Sequence, residues 1–404
     1  MRKVKIGIIG AGNIGTNHYT DFMNGLIPSG ELVAIADLVP EKLENVKKIG
    51  QEKNPEAEAK ITYFNSGDEL IASGVCEAVL VAIPHYFHPE YVIKALKAGL
   101  HAISEKPAGV YTLQVQEMLD EAAKHPELKA AIMFNVRNHP YFIKMHDMIA
   151  EGVLGQITRV TWIVTNWFRT QEYYDNGGWR ATWKGEGGGV LYNQAPHQLD
   201  QLQWVTGMMP SKVQAHCHFG KWHNIEVEDD VTAYLEYPNG ATGVFITSTG
   251  EAPGTDRFEI TGENGKLVYE NNGGTDRSLT FYKNEKSMLD AIKTNGRGTF
   301  AKPKNEKIEL EWVGEHTRHY GVLTNFCNAI LGTEELRFPI TEGINGVILA
   351  NAMLLSQWKE SAIELPINGQ EFYDELQAHI AASTVVKDEN ATGTTATSMG
   401  NTFA

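Results

Sequence analysis

The residues with the clearest chemical use begin at a glycine turn. Val4, Ile6, Ile8 and Ile9 make a β-like run, and Gly10-Ala11-Gly12-Asn13-Ile14-Gly15 follows it, opening a helical pattern through His18 and Phe22. Such a turn suits a pyrophosphate: glycine lets the backbone bend tightly and pass close to the ligand, and the helix N terminus faces the negative charge. Asp37 closes the next β-like run, Leu32 to Ala36, where a carboxylate can accept from both adenosine-ribose hydroxyls. A 2′-phosphate would be repelled there, and no arginine follows directly to hold it, so the pattern favours NAD over NADP. Gly10, Gly12, Asn13, Ile14, Gly15 and Asp37 are the expected cofactor contacts.

Two further motifs carry ionisable groups. Glu105-Lys106-Pro107 ends a later β-like run, and Gly187-Gly188-Gly189 leads through Val190-Leu191-Tyr192-Asn193-Gln194-Ala195-Pro196 to His197-Gln198-Leu199-Asp200. Together with the glycine turn, these resemble in type and order the glucose-fructose oxidoreductase/inositol dehydrogenase family, written Gfo/Idh/MocA, over roughly residues 1 to 365. The resemblance implies a Rossmann domain followed by an open-faced sheet domain, NAD as cofactor, and oxidation or reduction of a carbinol on a sugar or polyol. It implies that Lys106 contacts the reacting hydroxyl and the nicotinamide ribose, with Glu105 beside it, and that His197 is an acid/base. By the same resemblance Asp200 binds substrate hydroxyls, and His88 of Pro84-His85-Tyr86-Phe87-His88 lies near the cofactor. A homo-oligomer, dimer or tetramer, is implied as well, because the family's sheet domain leaves one face for another subunit.

The chemistry of the residues agrees. Hydride leaves a carbinol carbon only as the hydroxyl proton is taken up, which calls for a base with a pKa near the working pH, usually histidine. Lys106 supplies positive charge for alkoxide character, or acts as the base itself if burial lowers its pKa. Asn193, His197 and Asp200 stand at i, i+4 and i+7, so a helix would line them along one face. Asn193 departs from the family, where aspartate is common four residues before the histidine; the principal base is therefore either His197 or a role shared with Lys106. Trp167, Arg169, Tyr173, Trp179, Arg180 and Trp183 supply aromatic faces and charged donors of the kind that hold sugars, and Arg137 and His319 are further substrate-binding candidates. Three function classes share these residues: a sugar or polyol dehydrogenase, a glycoside-cleaving enzyme that uses NAD transiently by oxidation and elimination, and a non-catalytic NAD-binding sugar sensor.

These side chains need a scaffold of two domains. Alternating strand and helix patterns through residues 1–135 read as a doubly wound parallel sheet, an α/β Rossmann domain. The loops at its strand ends, Pro84–His88 and Glu105–Pro107, face the cofactor crevice, bringing in Pro84 and His85. Residues 136–386 read as an α+β domain with a large, mostly antiparallel open-faced sheet of hairpins turning at Pro238-Asn239-Gly240 and Glu263-Asn264-Gly265. Residues 284–305 read as a long excursion from that sheet, two helical patterns follow around 320–330 and 346–361, and 387–404 read as a disordered tail.

The remaining composition narrows the partners. A formal net charge of −15 disfavours nucleic acid, whose phosphates demand a basic footprint, and leaves a small carbohydrate as the expected ligand. No apolar run approaches the ~20 residues of a membrane helix, and the N terminus runs straight into the first strand, so no membrane contact and a cytoplasmic location are expected. Cys76, Cys217 and Cys327 are too scattered for a disulfide framework. His216, His218 and His223 are joined by no carboxylate or cysteine pair that would complete a metal site, and none is expected.

Overall fold

The computed structural model describes residues 2–273, 276–293, 298, 300 and 302–387. The chain divides into two compact units. The first takes in the chain up to Asn138, Gly185–Gly187 and Thr317–Val347; the second takes in His139–Lys184, Gly188–His316 and the chain from Ile348 onward.

In the first unit β1 (Val4–Ile9), β2 (Gly30–Ala36), β3 (Thr62–Phe64), β4 (Ala78–Val81), β5 (His101–Ser104) and β6 (Ala130–Ile132) form a sheet in the order β3-β2-β1-β4-β5-β6. Every pairing is parallel. β4 is buried along its whole length, as its unbroken Ala-Val-Leu-Val run requires of a central strand covered on both faces. The strand order reverses between β1 and β4, which opens a crevice beyond their carboxyl ends at the glycine turn and at the loop after Ile83.

Sequence patterning places 136–386 in one domain, yet Thr317–Val347 packs with the Rossmann unit. The reason is apolar: the helix Arg318–Leu331 contributes Val322, Leu323, Phe326 and Cys327 to the core around β1 and β2. The segment after it is stitched on by an Ile132 N–H to Phe338 carbonyl bond of 3.0 Å.

The second unit is built on β7 (Ile157–Val164), β8 (Lys212–Phe219), β9 (Glu228–Glu236), β10 (Thr242–Ser248), β11 (Asp256–Gly262), β12 (Gly265–Asn271), β13 (Arg277–Asn284), β14 (Asn305–Leu310) and β15 (Ile363–Glu364). Their order is β14-β13-β12-β11-β7-β10-β9-β8-β15. β7 and β10 run parallel, and the other neighbours are antiparallel. One face is core, where Trp162 stacks on Phe258 with centroids 4.1 Å apart. Along β9 the alternate residues Thr232 and Tyr234 are exposed on the other face.

Several elements differ from the sequence reading. Residues 284–305 contain the helix Met288–Lys293, and the strand β14 follows directly; the second helical pattern extends over Gly343–Lys359, and a last helix spans Gly369–Ala382. Of the expected tail, residues 388–404 lie outside the described residues, whereas Lys387 donates from Nζ to the Tyr174 carbonyl. All three cysteines are buried thiols. Among the described residues no helix is long and apolar enough to cross a membrane.

Candidate functional site

In the Rossmann unit the glycine turn is built for close approach. Gly10 has φ +104°, and a Cβ there would stand 2.3 Å from the Ala82 carbonyl oxygen. Gly15 packs against the turn itself, since its Cβ would meet the Gly10 oxygen at 1.9 Å, whereas a Cβ on Gly12 would face open space. The helix Asn13–Met23 starts after Gly12 with no side chain capping it, so the end formed by Asn13, Ile14 and Gly15 suits a phosphate group. This cradle fits the pyrophosphate of a dinucleotide.

Asp37 is oriented by the same turn. Its Oδ2 accepts the Ala11 N–H and its Oδ1 the Val39 N–H, each at 2.8 Å, and Lys42 Nζ stands 3.8 Å away. Each carboxylate oxygen retains a second lone pair for a ribose hydroxyl. The next residue, Leu38, is exposed and offers no charge to a 2′-phosphate.

The loops after β4 and β5 are tied together by histidine. His88 lies with Nδ1 2.7 Å from the Pro107 carbonyl and Nε2 2.7 Å from the Ile83 carbonyl, buried behind Pro84 and the single 3-10 turn His85–Phe87. Burial pulls its pKa below the ordinary value against the pull of the two carbonyls. Both ring nitrogens face backbone carbonyls, to one of which a neutral imidazole can donate, and His88 organises the loop from behind. His85 is also buried, its ring 5.8 Å from that of His88.

Glu105 partners a histidine that the motifs did not single out. His18, one turn into the helix after the glycine loop, is fully buried and places Nε2 2.7 Å from Glu105 Oε1. The second carboxylate oxygen accepts the Lys106 N–H at 3.1 Å. Burial works against the Glu105 charge, but the His18 hydrogen bond and the potentials of His18, His319 and Lys106 outweigh it and hold the carboxyl down to about 2. His319 meets His18 edge-on at 5.3 Å, which places it in this buried cluster. Arg137 is buried as well, ion-paired with Glu342 and set over the Phe134 ring.

In the second unit the turn after the three glycines is fixed by Glu228, whose Oε1 accepts the Gly189 and Leu191 N–H groups at 2.8 and 3.0 Å. The helix begins only at Pro196 and runs to Trp204. Proline sits well in a first turn but has no N–H to continue a helix backward, so Asn193 falls in the preceding turn, not on the helical face with His197 and Asp200. His197 is 2% exposed, and Asp200 is fully buried with Gln203 donating to its Oδ1 at 3.1 Å.

Asn193 joins a different group. Its Oδ1 accepts the Tyr173 hydroxyl at 3.1 Å and Gln194 Nε2 at 3.3 Å. The Tyr173 oxygen in turn accepts from Arg180 Nη1 at 3.0 Å, with the guanidinium over the rings of Tyr173 and Trp179. Arg169 covers the same Tyr173 ring at 5.1 Å and donates to the Trp167 carbonyl at 3.2 Å. Tyr173 thus meets the asparagine directly, Arg169 and Arg180 reach it through Tyr173, and Trp167 and Trp179 join through those arginines, as a donor-rich, aromatic group. Trp183 is buried, with its ring against Phe219, Trp358 and His379. His223 is structural, lying between Asp229 Oδ2 at 3.0 Å and the Arg169 carbonyl at 2.9 Å.

Comparison with known proteins gives two family matches along the chain. Residues 4–131 match the model of an oxidoreductase family with an NAD-binding Rossmann fold, and residues 142–268 match a GFO/IDH/MocA C-terminal domain. Among relatives, the uncharacterized oxidoreductase C115.03 of Schizosaccharomyces pombe is 29% identical over 310 residues, covering 74% of this chain and 77% of that protein. The myo-inositol 2-dehydrogenase of Thermotoga maritima is 27% identical over 278 residues, covering 66% and 75%. The WlbA dehydrogenase of Bordetella pertussis, solved with NADH and UDP-GlcNAcA, is similar in structure with a TM-score of 0.72 at 25% identity, covering 91% of this chain and all of that one.

Proposed function

The chain belongs to the GFO/IDH/MocA family of NAD-binding oxidoreductases, and from that premise we propose that it transfers a hydride between a carbinol of a sugar, polyol or cyclic carbohydrate and the nicotinamide. The observation that carries the reading is the buried His197 at the head of a helix, in a unit that also offers the Asn193, Tyr173 and Arg180 donor group. NAD, when bound, supplies the hydride acceptor. His197 takes up the hydroxyl proton, and Lys106 stabilises negative charge on the same oxygen. Asn193, Arg180 and the aromatic rings beside them orient neighbouring hydroxyls. Following NADH formation with inositols, aldoses, anhydrosugars and glycosides tests this; turnover of a glycoside with no net NADH would replace it with oxidation and elimination, and no turnover of any would favour a sensor.

Asp37 makes the cofactor preference measurable. Lys42 is already directed at the Asp37 carboxylate, so a 2′-phosphate would meet that negative charge with no cation in reserve from Leu38. NAD is expected to bind about tenfold or more tighter than NADP, or ~1.4 kcal/mol, and Asp37→Ser to narrow the gap. Equal affinities by calorimetry would count against this.

A homo-oligomer is also proposed. Ile163, Val244 and Ile246 are half-buried at alternate positions on β7 and β10, and Tyr234 is exposed on neighbouring β9, giving apolar surface on one sheet face. Light scattering at micromolar concentration should give at least twice the 44.8 kDa chain mass; a monomer would refute it.

A further inference from the structure

The Glu105-Lys106-Pro107 turn is gripped from two sides by buried imidazoles. His88 stands 2.7 Å from the Pro107 carbonyl, and His18 stands 2.7 Å from Glu105 Oε1. Among the described residues His88 hydrogen-bonds only to backbone, while the charges of Glu105 and Lys106 both bear on it. His18 acts on a charge, because Glu105 is an ionised carboxylate almost without solvent, and such a group must be compensated by its neighbours. The groups facing it are His18 from the first helix, His319 from the helix Arg318–Leu331, and Lys106 next in the chain. His18 in turn faces Glu105, His319 and Asp21, whose own neighbourhood includes Arg318. Its Nδ1 meets no polar partner among the described residues, so Glu105 is the hydrogen-bond partner that sets its tautomer.

We propose that His18 is a positioning residue for Lys106: by donating to Glu105 it satisfies the buried carboxylate, so that the Lys106 amine is directed to the reacting hydroxyl and not drawn back to its own neighbour. The inference rests on the role proposed above for Lys106. It joins the helix that receives the pyrophosphate to the turn that carries the lysine, through a contact spanning 87 positions of sequence. Without the His18 donor, the carboxylate takes its compensation from the Lys106 ammonium, which holds its proton more tightly and turns away from the substrate.

The test compares His18→Leu, which removes the donor, with His18→Gln, which restores one. The substrate is the carbohydrate giving the fastest NADH formation with the wild-type enzyme. His18→Leu should lower kcat by about tenfold and move the competitive labelling of Lys106 by fluorodinitrobenzene to higher pH; His18→Gln should recover most of both. In a Lys106→Ala background, His18→Leu should cost nothing more. Losses that multiply, or a labelling profile that does not move, would overturn the proposal. If Lys106→Ala itself keeps wild-type turnover, the catalytic reading fails instead, while the labelling shift still reports the coupling. Should His18→Leu not fold, Glu105→Gln serves: removing the carboxylate charge should move Lys106 labelling to lower pH, and no movement would sink the idea.

Discussion

Replacing His197 with alanine is expected to lower turnover of the preferred carbohydrate by ~10²-fold or more with NAD affinity nearly unchanged. The imidazole belongs to the second unit and the glycine turn and Asp37 to the first, so on the proposed reading its loss should touch proton transfer and not nucleotide binding. Lys106→Ala should cost turnover on the same scale but weaken NAD as well, since the lysine follows β5 in the nucleotide-binding unit and on the proposed reading touches the nicotinamide ribose. Asn193→Asp adds a sharper reading. Its side-chain oxygen already accepts from Tyr173 and, through Tyr173, is linked to Arg180, so a carboxylate is supported in the same place. The added negative charge should raise the His197 pKa and carry the rise of the pH-rate profile upward. Wild-type turnover in His197→Ala would end the assignment of the base.

What could be read from sequence follows the range of the forces involved. The Rossmann strands were legible because β1, β2 and β4 are buried apolar runs punctuated by glycine and proline, a local signal. β14 was not: Asn-Glu-Lys-Ile-Glu-Leu buries only Ile308 and Leu310 in part, and its pairing with β13 crosses a long polar stretch. The helix Gly369–Ala382 fully buries only Phe372 and Leu376, too few to show a stripe. In the candidate site, the motif residues could be picked out but not their partners. Spacing places Asn193 on a helix because it ignores the stop that Pro196 imposes, and nothing local reveals that Trp358 and His379 lie against Trp183. His18 carried one clue, a histidine on the inward stripe of the first helix with Phe22. Its meaning needed Glu105, which only the parallel sheet brings near.

Acid should destabilise this protein through one histidine in particular. His139 is buried among Phe142, Trp312, His316, Tyr269 and Tyr141, with ring centroids 4.7 to 5.9 Å away, and among the described residues neither of its ring nitrogens meets a hydrogen-bond partner. Burial, with lesser contributions from His316 and Arg277, pushes its pKa from 6.5 down to about 3. The unfolded chain therefore binds a proton that the folded chain refuses. The stability that His139 confers by staying neutral is complete above 6.5 and is lost as pH falls toward 3, up to on the order of 4 kcal/mol. Glu105 acts in a lower window, from its ordinary value of 4.5 down to about 2, so the two separate on the pH axis. His88, His101 and His379 are shifted in the same direction as His139, which makes a variant necessary to assign the effect. His139→Phe keeps an aromatic ring in an aromatic cage and removes the titrating group, so at neutral pH its urea midpoint should equal or exceed the wild-type value. As pH falls from 6.5 to about 4.5 the wild-type midpoint should drop away from the variant's by a growing margin. Parallel curves across that interval would mean that the cage admits the proton.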